Sequence, residues 1–252
     1  MRTKLCVKLS QDLSDMDIMK EHMADIVEIH LIDAENINPA LYERFDNIVF
    51  HASSQAYELE EITLDMEQQD IVEESLKSIA KVQAKCKLLL HCGWHNDRAC
   101  GEDIIKYLQQ IYSNYKVPIL LENTIYKGAY ERSFKVINQL HNLDIKACLD
   151  TAHIRAIINQ GANYKEYYKN MPEVNHVHFS YSSNGDGYRD MRTHGINHPT
   201  IKEVYADMGI LRELGVQDFN LCPEVEESCH FYKYRENQRI EIELLKHNGI
   251  IH

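Results

Sequence analysis

The stretch Lys146-Ala-Cys-Leu-Asp150-Thr-Ala-His153 contains a pattern that recurs along the chain. Its first five residues form a short run that is mostly apolar on both faces, as strands buried in parallel sheets are. The run ends in an acidic residue, and the amphipathic segment Ile154–Tyr168 that follows predicts a helix. The stretch therefore predicts one strand–helix unit with a charged side chain at the carboxyl end of its strand.

Seven other apolar runs have the same character, and amphipathic segments separate them. The other predicted strands are Lys4–Leu9, Asp25–Leu31, Asn47–His51, Lys87–His91, Pro118–Glu122, Asn175–Ser180 and Phe219–Val225. The other predicted helices are Ser10–Ala24, Asn38–Phe45, Leu59–Ala84, Asp103–Tyr115, Tyr130–Leu143, Ile201–Leu214 and Glu236–His247. Strict alternation predicts a parallel sheet. Eight such units in 252 residues predict an α/β fold, a (β/α)8 TIM barrel, with one domain over residues 1–252.

An open, doubly wound sheet is the alternative fold. That fold expects a glycine-rich phosphate-binding turn directly after the first strand. The corresponding residues, Lys8-Leu-Ser-Gln11, contain no glycine. The closed barrel is therefore favoured over the open sheet.

The charge balance limits the kinds of partner that the protein can bind. Lys and Arg number 27 against 39 Asp and Glu, which gives a formal net charge of -12. That balance argues against nucleic-acid binding by bulk electrostatics but leaves room for a local metal-lined site. The 7 cysteines include no CxxC pair and are expected to be reduced, which fits a cytoplasmic protein. No signal peptide is expected, and no run approaches the roughly 18 apolar residues of a membrane span.

The predicted strands end in residues that bind metals. Because the carboxyl ends of barrel strands meet at one mouth, these side chains are expected to converge there. Imidazoles and carboxylates are metal-ligand types, and a divalent cation removes the repulsion among converging carboxylates. Six consecutive strands contribute one such residue each: His51, His91, Glu122, Asp150, His178 and Glu224.

Several other residues are candidates for the same mouth. His153 follows Asp150 by three residues, and the long polar segment Ser182–His198 contributes His194 and His198. The second strand places Glu28 and His30 on one face, either toward the barrel mouth or as a solvated pair at the rim. His176 points the same way as His178 and is expected to support a ligand or to pack in the core.

The motifs resemble those of the endonuclease IV (AP endonuclease family 2) proteins, within the xylose-isomerase-like barrel superfamily. Leu121-Glu122-Asn-Thr124 with Gly128 is similar to the family's Glu-bearing motif, and Asp150-Thr-Ala-His153 to its Asp-Thr-x-His motif. The resemblance implies a centre of two or three zinc ions, for which Mn2+ or Mg2+ are alternatives. His51 and His91 would hold one ion, and Glu122 would bridge it to a second. Asp150, His178 and Glu224 would complete the second site, and His153 and His194 would belong to a third.

Arg192 occupies the position at which that family has an aspartate of the third zinc site. A guanidinium only donates hydrogen bonds, so it cannot bind a cation. Either Asp190 or His198 supplies the missing ligand, or Arg192 turns outward, or Arg192 binds a phosphate or carboxylate of a small substrate. Arg192 and His198 are therefore interpreted as substrate-binding residues.

Two functions follow from this residue set. The first is a metal-dependent hydrolase that cleaves phosphoesters or phosphodiesters, with abasic sites in DNA among the candidate substrates. Glu122 and Glu224 would be its catalytic residues, and its partner would be a phosphate-containing substrate such as damaged DNA. The alternative is a sugar or sugar-phosphate isomerase or epimerase with one divalent ion. There Glu122 and Glu224 would move a proton at carbon, and His153 would hold the sugar. A hydrolase needs both His51 and His91, so the sequence favours the hydrolase.

Overall fold

The computed structural model describes residues 2–31, 37–52, 66–82, 85–91, 101–123, 145–169, 171–179, 201–223 and 231–251. The strands are β1 (Arg2–Ser10), β2 (Ile26–His30), β3 (Asn47–His51), β4 (Lys85–His91), β5 (Ile119–Glu122), β6 (Ile145–Asp150), β7 (Val174–Phe179) and β8 (Asp218–Pro223). The helices are α1 (Asp17–His22), α2 (Pro39–Tyr42), α3 (Met66–Ile79), α4 (Gly101–Tyr115), α5 (Thr151–Asn159), α6 (Tyr164–Tyr168), α7 (Ile201–Glu213) and α8 (Phe231–His247). The helix predicted at Tyr130–Leu143 lies outside the described residues.

The strands form a closed parallel barrel in chain order, so the predicted fold is confirmed. Each strand pairs with its neighbours in sequence, and β1 pairs with β8 to close the sheet. Closure leaves no unpaired sheet edge, which open sheets must cover or protect. The organisation as one domain over residues 1–252 remains a prediction.

Apolar side chains pack both inside and outside the barrel. The larger core cluster combines outward-facing strand residues such as Val7, Leu149 and Val177 with the apolar faces of the helices. Two smaller clusters combine the alternate strand residues: Val49, Leu89, Leu120 and Cys148 in one, and Cys6, Ile26 and Cys222 in the other. The near-continuous apolar character of the strands therefore reflects burial on both faces.

A β-bulge sets the phase of β7. Ala147 pairs with Val174, but the next residue of β6, Cys148, pairs with His176, so Asn175 is one extra residue on β7. Val174 packs in the outer core, as Ala147 does. Because side chains alternate along a strand, the extra residue is what directs His176 and His178 into the barrel.

Two predicted helices differ from the observed ones. Of the segment Ser10–Ala24, only Asp17–His22 is helical, because Asp15 accepts hydrogen bonds from the backbone N–H and hydroxyl of Ser10 and holds a turn. The predicted helix Ile154–Tyr168 is two helices, α5 and α6. Gly161 lies between them with a φ of 75°, a left-handed conformation that ends a helix.

None of the helices in the described part of the chain is long and apolar enough to cross a membrane.

Candidate metal centre

Four of the predicted ligands lie together at the carboxyl ends of their strands. His51, Glu122, Asp150 and His178 end or nearly end β3, β5, β6 and β7, and all four are buried. His153 lies in the first turn of α5 beside them and is also buried. His91 ends β4, but its side chain is outside what the structure describes. Glu224, His194, Arg192, His198 and Asp190 also lie outside the described residues.

Glu122 is common to two groups of potential metal ligands. One group is His51, Glu122 and His178, and the other is Glu122, Asp150 and His153. Within each group, one ligand atom from each residue lies within 4.8 Å of the others. Imidazole and carboxylate donors at this spacing suit a divalent ion such as Zn2+ or Mn2+. The donor set therefore fits the predicted metal, with Glu122 at its centre.

The hydrogen bonds of His178 leave one nitrogen directed at Glu122. Its Nε2 lies 2.9 Å from Glu28 Oε2, and its Nδ1 lies 3.1 Å from Glu122 Oε1. An ionised Glu28 can only accept, so Nε2 carries a proton that it donates. Nδ1 therefore faces the Glu122 carboxylate, either as the second donor of a charged imidazolium or, in the neutral ring, with a lone pair. A divalent ion between Nδ1 and Glu122 would bind the neutral ring, and Glu28 would fix the orientation of that ring.

His153 is also held in one tautomer. Its Nδ1 lies 2.7 Å from the backbone carbonyl of Asn123, which can only accept, so Nδ1 donates. The lone pair of the neutral ring is then on Nε2, which lies 3.9 Å from Asp150 Oδ2. His153 thus presents an acceptor nitrogen toward the site, suited to a metal ion or to a substrate hydroxyl.

Asp150 is fixed by the start of α5. Its Oδ1 accepts hydrogen bonds from the backbone N–H groups of Ala152 and His153, so Asp150 is the N-cap of the helix. The Asn123 side chain accepts from the backbone N–H of Asp150 and donates to its carbonyl. Asn123 therefore aligns the ends of β5 and β6, which places Glu122 beside Asp150.

Lys8 contacts His51 from below. Its Nζ donates to His51 Nδ1 at 3.1 Å and lies 3.2 Å from Glu28 Oε1. An ammonium has no lone pair, so His51 Nδ1 is the acceptor and the ring proton is on Nε2. That nitrogen lies 3.5 Å from Glu122 Oε2. In this arrangement the protonated Nε2 of His51 faces Glu122, and a positive charge lies beside the ring.

Glu28 connects these groups beneath the mouth. The residue is 0% exposed, and His176 Nε2 lies 2.8 Å from the same Oε2 that His178 contacts. Burial raises the pKa of this carboxyl. The opposing charges of His178 and Lys8 and the hydrogen bonds of the two histidines outweigh burial, so the pKa lies well below its usual value. Glu28 is therefore the buried anion that orients His178 and Lys8.

The sequence does not identify two residues beside the candidate ligands, Lys8 and Glu28. A lysine in an apolar run is usually solvated, so the sequence gives Lys8 no role in the site. For Glu28 the sequence allows two positions, facing the barrel mouth or in a solvated pair with His30 at the rim. The structure places Glu28 inside, so a solvated rim position for it is wrong. Lys8 and Ser10 are two residues apart on one strand, as are Glu28 and His30 on the next. Residues two apart share a face, and this spacing is the signal that both pairs face the barrel interior.

Sequence comparison gives no identification. No protein-family model matches this chain. No curated protein matches it either.

Solved structures match along nearly the whole chain, all at low identity. A xylose isomerase domain containing protein from Salmonella typhimurium is 14% identical, with 98% of each chain covered and a TM-score of 0.71. A D-tagatose 3-epimerase-like protein is 16% identical over 96% of this chain and 99% of its own, with a TM-score of 0.60. An IolI protein with a bound zinc atom is 14% identical over 98% of this chain and 97% of its own, with a TM-score of 0.64.

These similarities show the fold alone, a (β/α)8 TIM barrel. They do not show membership of the endonuclease IV family, and the zinc belongs to the IolI structure. The metal, its count, the hydrolase chemistry and a role in DNA repair remain predictions.

Proposed function

We propose that the protein is an isomerase or epimerase of a small polyhydroxylated carbonyl compound and uses one divalent metal ion. The ion would be held by Glu122, Asp150 and His178, with Glu224 as the predicted fourth ligand beyond the described residues. When bound, it would polarise the substrate carbonyl and so acidify the neighbouring C–H bond. The printed names of several similar barrels support this class of reaction, including a D-tagatose 3-epimerase-like protein and a D-allulose 3-epimerase.

The observation that carries the proposal is the contact between Lys8 and His51. A hydrolase with two or three ions needs His51 as a metal ligand. Here the Lys8 ammonium donates to Nδ1, and Nε2 carries the proton that faces Glu122. This contact therefore favours a centre with one ion beside Glu122 over a centre that uses His51 for a second ion.

The residues around Glu122 suit proton transfer at carbon. Its carboxylate is buried, so water is kept from the base, and His51 Nε2 lies 3.5 Å from its Oε2. His153 presents an acceptor nitrogen to a substrate hydroxyl, since Nδ1 is committed to Asn123. Glu224 would move the proton on the other face of the substrate carbon.

The test is exchange of substrate hydrogen with solvent. The purified protein would be incubated in D2O with Mn2+ or Co2+ and a panel of ketopentoses, ketohexoses and their phosphates. We expect deuterium at the carbon next to the carbonyl, detected by NMR, together with an epimer or isomer. Glu122→Gln should lower the exchange rate by about 10²–10⁴-fold, the usual contribution of a general base. Glu173→Gln, at an exposed carboxylate paired with Lys146 and far from the mouth, is the control.

The hydrolase is the second candidate, because a ligand atom of His51 does lie within 4.8 Å of those of Glu122 and His178. The same preparations would be assayed on bis-p-nitrophenyl phosphate and on a duplex with an abasic site, including the Arg192→Asp variant. Phosphodiester cleavage that is lost in Glu122→Gln, without exchange on any sugar, would replace the isomerase by the hydrolase. In that case Arg192 and His198 would be tested as substrate-binding residues.

A further inference from the structure

A second group of potential metal ligands lies deeper in the barrel. Cys6, Glu28, His176 and Cys222 each place a ligand atom within 4.8 Å of the others, and all four are 0% exposed. Cys6 precedes Lys8 by two residues on β1, and His176 precedes His178 by two on β7. The group therefore lies one layer below the mouth. It shares with the metal centre only Glu28, which is not a proposed ligand there.

The four residues come from four neighbouring strands. These strands, β7, β8, β1 and β2, follow one another around the barrel and include the pairing of β1 with β8 that closes it. The register places Leu5 beside Leu221, so the following residues, Cys6 and Cys222, are also opposite one another. Their two sulfur atoms lie within 4.8 Å of each other. The group thus spans the junction between the first and last strands of the sheet.

The chemistry of the group suits a soft or borderline cation. Two sulfurs, one imidazole and one carboxylate are a ligand set of the kind that binds structural Zn2+ tetrahedrally. Both thiols are fully buried, and a thiol binds a metal ion as the thiolate, after it loses its proton. Lys8, His178 and Cys148 are the other polar or charged groups that approach them.

His176 gives an independent sign of a missing partner. Its Nε2 contacts Glu28, but its Nδ1 is buried and has no hydrogen-bond partner among the described residues. Because Nε2 donates to Glu28, the lone pair of the neutral ring is on Nδ1, where it is available to a metal ion. Fully buried polar atoms without a partner are uncommon, and each one needs an explanation.

We propose that Cys6, Glu28, His176 and Cys222 form a thiolate-containing metal site that binds one Zn2+ inside the barrel. Binding releases the two thiol protons and creates two metal–sulfur bonds, with no change in oxidation state. The ion would link the strands on either side of the β1–β8 junction. Its role is structural, and it is separate from the ion of the proposed isomerase.

Cobalt substitution distinguishes the two sites. The protein would be stripped with a chelator under reducing conditions and titrated with Co2+. Thiolate ligands give a sulfur-to-cobalt charge-transfer band in the near ultraviolet, whereas His, Asp and Glu ligands do not. We expect this band to saturate at one equivalent in the wild type. Cys6→Ser and Cys222→Ser should each lose it and one equivalent of bound metal. Cys86→Ser, at a half-buried thiol outside the group, should keep both.

The wild-type titration decides the question even if the serine variants fail to fold. Absence of the charge-transfer band at saturating Co2+ would overturn the proposal, as would a Cys6–Cys222 disulfide in the native protein by mass spectrometry. The deep metal site and the proposed isomerase are tested by different measurements. Glu122→Gln should keep the charge-transfer band while it loses deuterium exchange. A band without exchange activity would support the deep site and reject the isomerase.

Discussion

Glu28 and Glu241 are both buried glutamates, but their surroundings shift the two carboxyl pKa values in opposite directions. Glu28, inside the barrel, is contacted by Lys8, His176 and His178, and its pKa lies well below the usual value. Glu241, on the inner side of α8, has an Oε2 without a hydrogen-bond partner in the described part of the chain. Burial raises its pKa to about 8, and the charge of Arg155 lowers it only in part. Burial alone therefore does not identify a functional carboxylate, whereas burial together with fixed donors does.

Removing the Glu28 carboxylate is expected to have the largest effect on stability. Glu28→Ala leaves the Lys8 ammonium and two imidazole N–H groups buried without their acceptor. Breaking a buried ion pair in this way costs about 3–5 kcal/mol of unfolding free energy. Urea unfolding with EDTA present measures this without any metal contribution. Glu28→Gln, which keeps the shape, is the matched control and should cost less. An alanine variant as stable as wild type would show that the Glu28 network does not stabilise the fold.

Glu241→Gln should increase the unfolding free energy, whereas the Glu28 substitutions lower it. The folded pKa of about 8 lies above the ordinary glutamate pKa of 4.5, so the unfolded state ionises first as pH rises. Stability from this group is complete below about pH 4.5 and is lost progressively as pH rises toward 8. Gln does not ionise, so the variant should be more stable by about 3 kcal/mol at pH 7. The gain should vanish at pH 4. A constant gain across that range would mean that Glu241 does not titrate as described.

The smallest effect is expected at Asp150, a third buried carboxylate, held by a helix N-terminus. Asparagine caps helices about as well as aspartate, so Asp150→Asn should change the unfolding free energy by less than about 0.5 kcal/mol. Asp150→Ala should cost about 1 kcal/mol, because two backbone N–H groups lose their acceptor. Both variants should bind the catalytic metal more weakly. Equal destabilisation by both would show that the charge, and not the cap, supports the fold.

The sequence predicted the barrel because its evidence is local. Each apolar run and the ligand-type residue at its end can be read from a few neighbouring positions, and β3, for instance, has the predicted bounds Asn47–His51. Gly215 directly follows the predicted helix Ile201–Leu214, and its φ of 78° is the left-handed conformation that glycine favours at the end of a helix. Local patterns were less informative where side chains compete with the backbone, as at Ser10 and Asp15, or where Gly161 interrupts a continuous apolar pattern.

The electrostatics of the site could not be predicted in the same way. The effect of Lys8 on His51 depends on the register that pairs Lys8 with Glu28 and His30 with His51 across three strands. No pattern within a single strand contains that information. The sequence favours a hydrolase because His51 and His91 are both available as ligands, and the contact of Lys8 with His51 is the reason for proposing an isomerase instead.

The bulge at Asn175 has a consequence for how this chain could have changed length during evolution. Val174 already faces outward and His176 inward, so loss of the codon for Asn175 would restore regular pairing with both histidines still facing the interior. Loss of Val177 would instead put His178 directly after His176, and alternation would turn one of them toward the helices. An insertion or deletion on the amino-terminal side of His176 is therefore tolerable, and one between the two histidines is not. Alignments with distant barrels should accordingly place a one-residue gap at Asn175.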